Sequence, residues 1–208
     1  EAFDIPVEAF PNGGGWILTT WVSVNGSDPI RVALDTGTSV LVLNPGSVVG
    51  APSGVTDSPA GIVYDGTGLN GHVAEGFVSV MSGSIVEGGE VVATTPTEVG
   101  YVYGDECVEP GGCPRWGGVI DGVWGIGPNV MQFATANPDE PYRMYSPATQ
   151  FSGASADGLT IDYPSDAPAV RLGPVEPGPH DVVIPRAKGA GLKPNGQEQW
   201  QDPELCWT

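Results

Sequence analysis

The stretch Val32-Ala33-Leu34-Asp35-Thr36-Gly37-Thr38-Ser39 leads from an apolar strand into a turn of glycine and hydroxyl-bearing residues. Gly37 has no side chain, so backbone N–H groups can approach the Asp35 carboxylate. The hydroxyls of Thr36 and Thr38 can donate hydrogen bonds to the same carboxylate. Such hydrogen bonds hold a carboxylate in place for acid–base chemistry. The pattern makes Asp35 the candidate catalytic residue, although many strand-to-turn junctions without any catalytic role end in the same way.

Composition predicts a turn-rich, all-β protein. The chain has 208 residues, of which 32 are Gly and 21 are Pro. These residues interrupt almost every window of about ten residues, and each costs a helix interior roughly 1 to 3 kcal/mol. Long helices are therefore excluded. The 40% of hydrophobic residues and the recurrent Val and Ile runs argue for a packed core rather than disorder.

Alternating and apolar runs between turn signals predict short strands, together with one short helix. Asn25-Gly26 is a strong hairpin signal between the first two strands. The segment 129–136 is the best helix candidate, because Asn137-Pro138 would end it. We expect Trp16 and Trp21 to pack in the core. The predicted strands are 16–24, 30–34, 40–43, 61–65, 72–80, 85–95, 98–103, 158–163 and 169–172.

The charge of the chain excludes two classes of partner. Only 7 Lys and Arg face 25 Asp and Glu, which gives a net charge of −18. A phosphate backbone or an anionic membrane surface would be repelled, so we expect no nucleic acid partner. No apolar run reaches the roughly 18 residues of a membrane span. The acidity suits solubility outside a cell, or work at a pH where the carboxylates are partly protonated.

Three cysteines bear on redox state and on metals. Cys107 and Cys113 bracket a short Gly/Pro loop and predict a local disulfide, which suits a secreted or cell-surface protein. No second cysteine pair or histidine cluster lies nearby, so a zinc site is not expected, and His72 and His180 are interpreted as surface residues. Cys206 is left without a partner. The chain begins without an initiator Met or signal peptide, and we interpret it as a mature or excised segment.

Two further motifs follow Asp35-Thr36-Gly37 in the chain. The first, Tyr64-Asp65-Gly66-Thr67-Gly68, is similar to a flap hairpin with an aromatic residue at its tip, and the second is Asp121-Gly122-Val123-Trp124-Gly125-Ile126-Gly127. In this order the motifs resemble the N-terminal lobe of a pepsin-like aspartic protease, over roughly residues 16–173. The segment Gly125–Asn129 and the Gly-rich acidic composition are more similar to the aspartic-protease domains of mycobacterial PE-PGRS cell-surface proteins than to animal pepsins.

The resemblance implies an all-β lobe of double-psi-type β-barrel and sheets with minimal helix. It also implies roles for named residues: Asp35 as a catalytic carboxylate, Thr36, Gly37 and Thr38 as its support, Tyr64, Gly66 and Thr67 as the flap, and Asp121, Gly122 and Gly125 as a structural loop. Asp65 is an insertion relative to the usual Tyr-Gly-Thr-Gly. Val42 stands where pepsins often have Trp, so the pepsin Tyr–Trp hydrogen bond is not expected.

The resemblance further implies hydrolysis of a peptide or protein substrate by a water held between two carboxylates that share one proton, without metal or cofactor. This chain has one Asp-Thr-Gly and no second Asp-Thr/Ser-Gly. We therefore expect an N-terminal lobe at 1–173, an interlobe linker at 174–179 and the start of an incomplete second lobe at 180–208. The missing second lobe would come from the same polypeptide or from a separate chain.

Two alternatives remain open at this stage. The chain could be a non-catalytic module of the same fold, serving in inhibition or surface adhesion. It could also form a homodimer in which two copies of Asp35 make the catalytic pair, as in retroviral proteases. The homodimer leaves the linker-like tail unexplained, since about 100 residues suffice for that plan.

Overall fold

The structure is a computed structural model, and it describes most of the chain. The described residues are 3–13, 15–49, 52, 59–64, 67–84, 87–108, 113, 118–127, 130–135, 137, 139–154, 159–162, 167–174, 187–192 and 198–201, with backbone alone for 59, 62–64, 67, 187–192 and 198–201.

The all-β prediction is confirmed, because no α-helix occurs within these ranges and the 3₁₀ turn Pro147–Gln150 is a single four-residue element. The strands are β1 Phe3–Pro6, β2 Glu8–Asn12, β3 Gly15–Val24, β4 Ile30–Asp35, β5 Leu41–Leu43, β6 Pro59–Tyr64, β7 Thr67–Gly76, β8 Val78–Met81, β9 Val91–Thr94, β10 Val99–Cys107, β11 Gly122–Gly125, β12 Val130–Phe133, β13 Tyr142–Tyr145, β14 Leu159–Asp162, β15 Ala169–Leu172, β16 Ala187–Leu192 and β17 Glu198–Gln201.

One large sheet and three small ones contain these strands. The ten-stranded sheet has the order β6-β7-β10-β5-β11-β4-β3-β8-β9, with β2 paired to β3. A three-stranded sheet has the order β1-β15-β14, and β12-β13 and β16-β17 are two-stranded. The predicted hairpin between β3 and β4 is present. Asn25 and Gly26 have φ values of 51° and 74°, as a type I′ turn requires.

The core occupies both faces of the ten-stranded sheet, as the alternation in the run Val40–Leu43 shows. Leu41 and Leu43 belong to a cluster that also contains Phe3, Ile5, Val170 and Leu172 of the small sheet β1-β15-β14. Val40 and Val42 belong to a second cluster with Phe133 of β12 and Met144 of β13. Successive strand residues point to opposite faces, so a wholly apolar β5 can be covered on both sides.

The helix predicted at 129–136 is wrong. Residues Val130–Phe133 form β12, which pairs antiparallel with β13 from Val130↔Tyr145 to Phe133↔Tyr142. The four-residue sequence Val-Met-Gln-Phe is too short to show a clear period, so tertiary packing decides its conformation. Burial of Phe133 with Met144 in the second cluster supplies that packing.

Other sequence predictions also need correction. The strand expected at 85–95 is shorter, because Glu87–Gly89 form a turn in which the backbone N–H groups of Glu87 and Gly89 donate to the Ser84 carbonyl. Trp16 is 69% exposed and does not pack in the core. The sequence patterns also missed β1 and β2, which are only four and five residues long and each contain a Pro, a residue that argues against a strand assignment. The linker and the incomplete second lobe fall largely outside the described residues and stay predictions.

No helix among the described residues is long and apolar enough to cross a membrane.

An ion pair joins β1 to β15. The Arg171 guanidinium donates from Nε to Asp4 Oδ1 at 2.8 Å and from Nη2 to Oδ2 at 3.0 Å. These hydrogen bonds hold the pKa of Asp4 below its usual value. Because the folded-state pKa is lowered, the pair stabilises the fold above the unfolded pKa of about 3.9, and the contribution is lost as the pH falls through the folded pKa.

We therefore predict that Asp4→Asn lowers the free energy of unfolding near neutral pH and that the difference from wild type shrinks as the pH is lowered below about 4. The effect is small, because both side chains are about half exposed. Urea unfolding at a series of pH values measures it. Arg171→Gln should likewise reduce the dependence of the free energy of unfolding on pH below about pH 4. Parallel loss of stability in wild type and Asp4→Asn would contradict the prediction.

Candidate active site

Asp35 is the last residue of β4, and the loop that follows it crosses the end of another strand. β4 and β5 are consecutive in the chain, but β11 lies between them, parallel to β4 and antiparallel to β5. Gly125 of β11 is the register partner of Asp35. The segment from Asp35 to Val40 must therefore pass over the C-terminal end of β11.

Three backbone hydrogen bonds attach this loop to β11 and the residues after it. The N–H of Ile126 donates to the Asp35 carbonyl at 2.8 Å, and the N–H of Gly125 donates to the Val40 carbonyl at 2.8 Å. The N–H of Gly127 donates to the Thr38 carbonyl at 2.7 Å. The loop is thus held at its start, its middle and its end, which limits movement of the Asp35 side chain.

The contact between loop and strand requires glycine. A Cβ on Gly125 would lie 2.5 Å from the Thr38 carbonyl carbon, and one on Gly127 would lie 2.6 Å from the Thr38 carbonyl oxygen. A Cβ on Gly122 would meet the Val42 carbonyl oxygen. Contacts under 3 Å to backbone atoms cannot be relieved by turning a side chain. The Gly spacing seen in the sequence therefore has a steric origin at all three positions.

The Asp35 carboxylate is partly exposed and accepts a hydrogen bond from within its own loop. The N–H of Gly37 donates to Asp35 Oδ1 at 2.8 Å. The Thr38 hydroxyl accepts from the N–H of Val40 at 3.3 Å, so its implied hydrogen bond to the carboxylate stays a prediction. Thr36 is exposed, and its implied role in joining two active-site loops also stays a prediction. The carboxylate is oriented by backbone and reachable from solvent, as a general acid or base must be.

Buried residues of β11 and of the segment 146–151 pack together and hold β11 in place. Trp124 is fully buried, and its ring lies 6.1 Å from that of Phe151. The Ser146 hydroxyl donates to the Gly125 carbonyl and accepts from the N–H of Ala148 at the start of the 3₁₀ turn. Sequence reasoning missed Ser146. The sequence feature that could have indicated Ser146 is the dipeptide Ser146-Pro147, which is typical of the capped start of a helical turn.

The hairpin β6–β7, with Tyr64 paired to Thr67, corresponds to the predicted flap. Ala60, Leu69 and Val73 of the hairpin share the second cluster with Val40 and Val42. The strand that follows the Asp35 loop therefore supports the hairpin. The side chains of Tyr64 and Thr67, and Asp65 and Gly66 entirely, lie outside the described residues, so their roles stay predictions.

Asp121 precedes β11, where its backbone N–H donates to the Arg31 carbonyl and its own carbonyl accepts from Asn44, both at 2.9 Å. These bonds make Asp121 part of the framework between β4 and β5. Asp121 therefore lies at the N-terminal end of β11, while Asp35 pairs with Gly125 at the C-terminal end of that strand.

The predicted disulfide between Cys107 and Cys113 is confirmed, with Cα atoms 5.1 Å apart. It lies at the end of β10 beside the start of β7. His72 of β7 is only partly exposed, and its Nδ1 is 2.8 Å from Asp105 Oδ2. Among the described residues, no group of three His, Cys, Asp or Glu side chains is arranged to hold a metal ion.

Comparison with known proteins gave no relative: no protein-family model matches the chain, and no curated protein is similar enough to be matched. The case for a function therefore depends on the sequence motifs and on the geometry of the Asp35 loop.

We predict that Gly125→Ala destabilises the protein by roughly 2 to 4 kcal/mol, because the added methyl group forces the Thr38 backbone away from β11. Gly61→Ala is the matched control, since a Cβ on Gly61 meets nothing within 4 Å. Chemical denaturation of both variants measures the difference. Equal stability of the two variants would mean that the loop does not need the close approach at Gly125.

Proposed function

We propose that the chain is the N-terminal lobe of a secreted or cell-surface aspartic endopeptidase of the pepsin-like type. In this proposal Asp35 supplies one of two carboxylates that activate water for hydrolysis of a peptide bond. The support comes from the resemblance of three motifs and from the surroundings of Asp35.

The observation that carries the proposal is the Asp35 loop. It crosses β11 between two separated strands, it is held by three backbone hydrogen bonds, and it presents a partly exposed carboxylate bonded to the Gly37 N–H. The strand order imposes this restraint on the loop, and the restraint gives the carboxylate a fixed position. An oriented carboxylate open to solvent is what attack by a bound water requires.

In the proposed reaction, the ionised carboxylate of the pair takes a proton from water as the water attacks the scissile carbonyl carbon. The protonated partner gives its proton to the carbonyl oxygen. Two carboxylates a few ångströms apart cannot both ionise readily, so they share one proton and act as base and acid. The Gly37 N–H keeps the Asp35 oxygen oriented during this exchange. Hairpin β6–β7 would cover an extended peptide lying beside the loop.

The second carboxylate must come from elsewhere, since the sequence has a single Asp-Thr-Gly. We propose that a second lobe provides it, along with the opposing wall that grips the peptide and excludes water. The net charge of −18 suits such an enzyme at acid pH, because partial protonation of its carboxylates relieves their mutual repulsion.

The single Asp-Thr-Gly also favours a second candidate function. A lobe that never gains a partner carboxylate would be a binding module with the same framework and no peptidase activity. A homodimer with two copies of Asp35 would restore the pair without a second lobe. Catalysis and molecular mass together distinguish these arrangements.

We predict that Asp35→Asn lowers peptidase activity by about a thousandfold or more in a protein that combines this chain with a second carboxylate-bearing lobe. The amide is nearly isosteric, but it cannot accept the proton of the attacking water. Asp28→Asn, at an exposed position between β3 and β4, is the matched control and should retain activity. Retained cleavage in folded Asp35→Asn would remove Asp35 from the mechanism.

We also predict that the 208-residue chain by itself does not cleave an unfolded protein as a monomer between about pH 3 and pH 7, because a lone carboxylate lacks the acid that protonates the carbonyl oxygen. Cleavage is followed with and without a statine-type inhibitor while the mass in solution is measured. Inhibitor-sensitive cleavage by a monomer would refute the prediction. The same cleavage by a dimer would support the homodimer instead.

A further inference from the structure

The end of hairpin β6–β7 that carries residues 67–70 depends on β10 for lateral support. β7 pairs with β10 from Gly76↔Val99 to Leu69↔Cys107, and β6 is an edge strand that pairs with β7. A two-stranded ribbon is marginally stable by itself in water. The position of this end of the hairpin therefore depends on the contacts that hold Glu106 and Cys107, the last residues of β10.

The ladder at this end is irregular, and its polar side chains are exposed. Its register shifts between Gly104 and Glu106, after which Glu106 pairs with Asn70. The Asn70 side-chain amide donates to Glu106 Oε1 at 3.1 Å, and both side chains are exposed. Exposed polar pairs of this kind contribute little to stability. They are weak restraints on the strand end.

The last contact lies just beyond β10. The N–H of Val108 donates to the Gly68 carbonyl at 2.8 Å, and a Cβ on Gly68 would touch the Val108 side chain at 3.5 Å. Val108 is 58% exposed, so burial does not hold it there. Leu69 is 1% exposed and belongs to the second cluster, so it is the described side chain nearest the hairpin turn that core packing holds.

The disulfide closes residues 107–113 into a covalent loop directly beside this contact. Cys107 directly precedes Val108, and its bond to Cys113 brings two Cα atoms six residues apart in the chain to 5.1 Å. A closed loop of this size restricts the directions in which residue 108 can leave the sheet. The covalent bond therefore restrains Val108 in addition to the pairing of Cys107 with Leu69 and the packing of Cys107 against the second cluster.

We propose that the Cys107–Cys113 disulfide is a redox-sensitive restraint that positions the end of hairpin β6–β7 containing residues 67 and 68. Oxidised, it keeps Val108 bonded to Gly68; reduced, it releases this end while Leu69 stays anchored in the core. The consequence for substrate binding rests on the proposed function, in which the hairpin covers the peptide. The oxidised protein then binds substrate more tightly, because the hairpin is preorganised.

A dithiol such as dithiothreitol can reduce the Cys107–Cys113 disulfide. Its thiolate attacks one sulfur, the S–S bond breaks, and a mixed disulfide forms. The second thiol of the reagent then closes it to a cyclic disulfide. Two electrons and two protons pass to the protein, and Cys107 and Cys113 become thiols.

We test the proposal by amide hydrogen exchange on the 208-residue chain, comparing the oxidised protein with the dithiothreitol-treated protein and with the double variant Cys107→Ser/Cys113→Ser. We expect exchange at the Val108 amide to become about tenfold faster or more in both. The Thr95 amide, which donates to the Val78 carbonyl at 2.9 Å, should stay unchanged. Leu159→Ala in β14 is the matched control for a general loss of stability and should not accelerate Val108 selectively.

Unchanged exchange at Val108 after reduction, or equal acceleration at Val108 and Thr95, would overturn the proposal. In a cleavage-competent protein, the double variant should raise KM by about tenfold with a smaller change in kcat. Unchanged KM alongside faster exchange would overturn the link to substrate binding. Failure of the proposed function looks different, because the oxidised wild-type protein itself then cleaves nothing while the exchange result is unaffected.

Discussion

The approach of the Asp35 loop to the end of β11 is the constraint on which the rest of the structure depends. β11 separates two strands that are consecutive in the chain, so the intervening loop must cross over it. Backbone then meets backbone at Thr38, and glycine is needed at Gly125 and Gly127 to allow the contact. The three hydrogen bonds made there connect β4, β5 and β11 into one unit. The candidate catalytic carboxylate lies in that unit.

Burial on both sides stabilises the same three strands. Trp124 of β11 and Leu41 of β5 lie in the cluster shared with the small sheet β1-β15-β14. Val42 faces the other way, toward β12 and the hairpin β6–β7. Full burial of a large side chain contributes roughly 1.5 to 3 kcal/mol. Packing from two directions therefore gives the Asp35 loop a rigid base, while the loop itself stays open to solvent.

The described contacts become fewer toward the turn of hairpin β6–β7. Among the described side chains of hairpin β6–β7, Leu69 is the one nearest the turn that core packing holds. Closer to the turn, the contact on the β10 side is the Val108–Gly68 hydrogen bond, beside the Cys107–Cys113 disulfide. A site on which a peptide must enter and leave needs both properties, a fixed carboxylate and a less strongly held cover. In the proposed enzyme, chemistry would depend on the first and substrate binding on the second.

The sequence by itself determined the all-β class, the Asn25-Gly26 hairpin, the disulfide and the candidate carboxylate Asp35, because each depends on local chemistry: turn geometry, a short cysteine spacing, or glycine beside a carboxylate. Tertiary structure decided the rest. Val130–Phe133 became a strand through its partner β13, and Trp16 was left exposed near the start of β3, whereas Val22 and Val24 farther along the same face are in the core. The insertion of β11 between β4 and β5 joins residues about 90 positions apart, and no local pattern specifies a pairing whose free energy comes from contacts made only after the chain has collapsed.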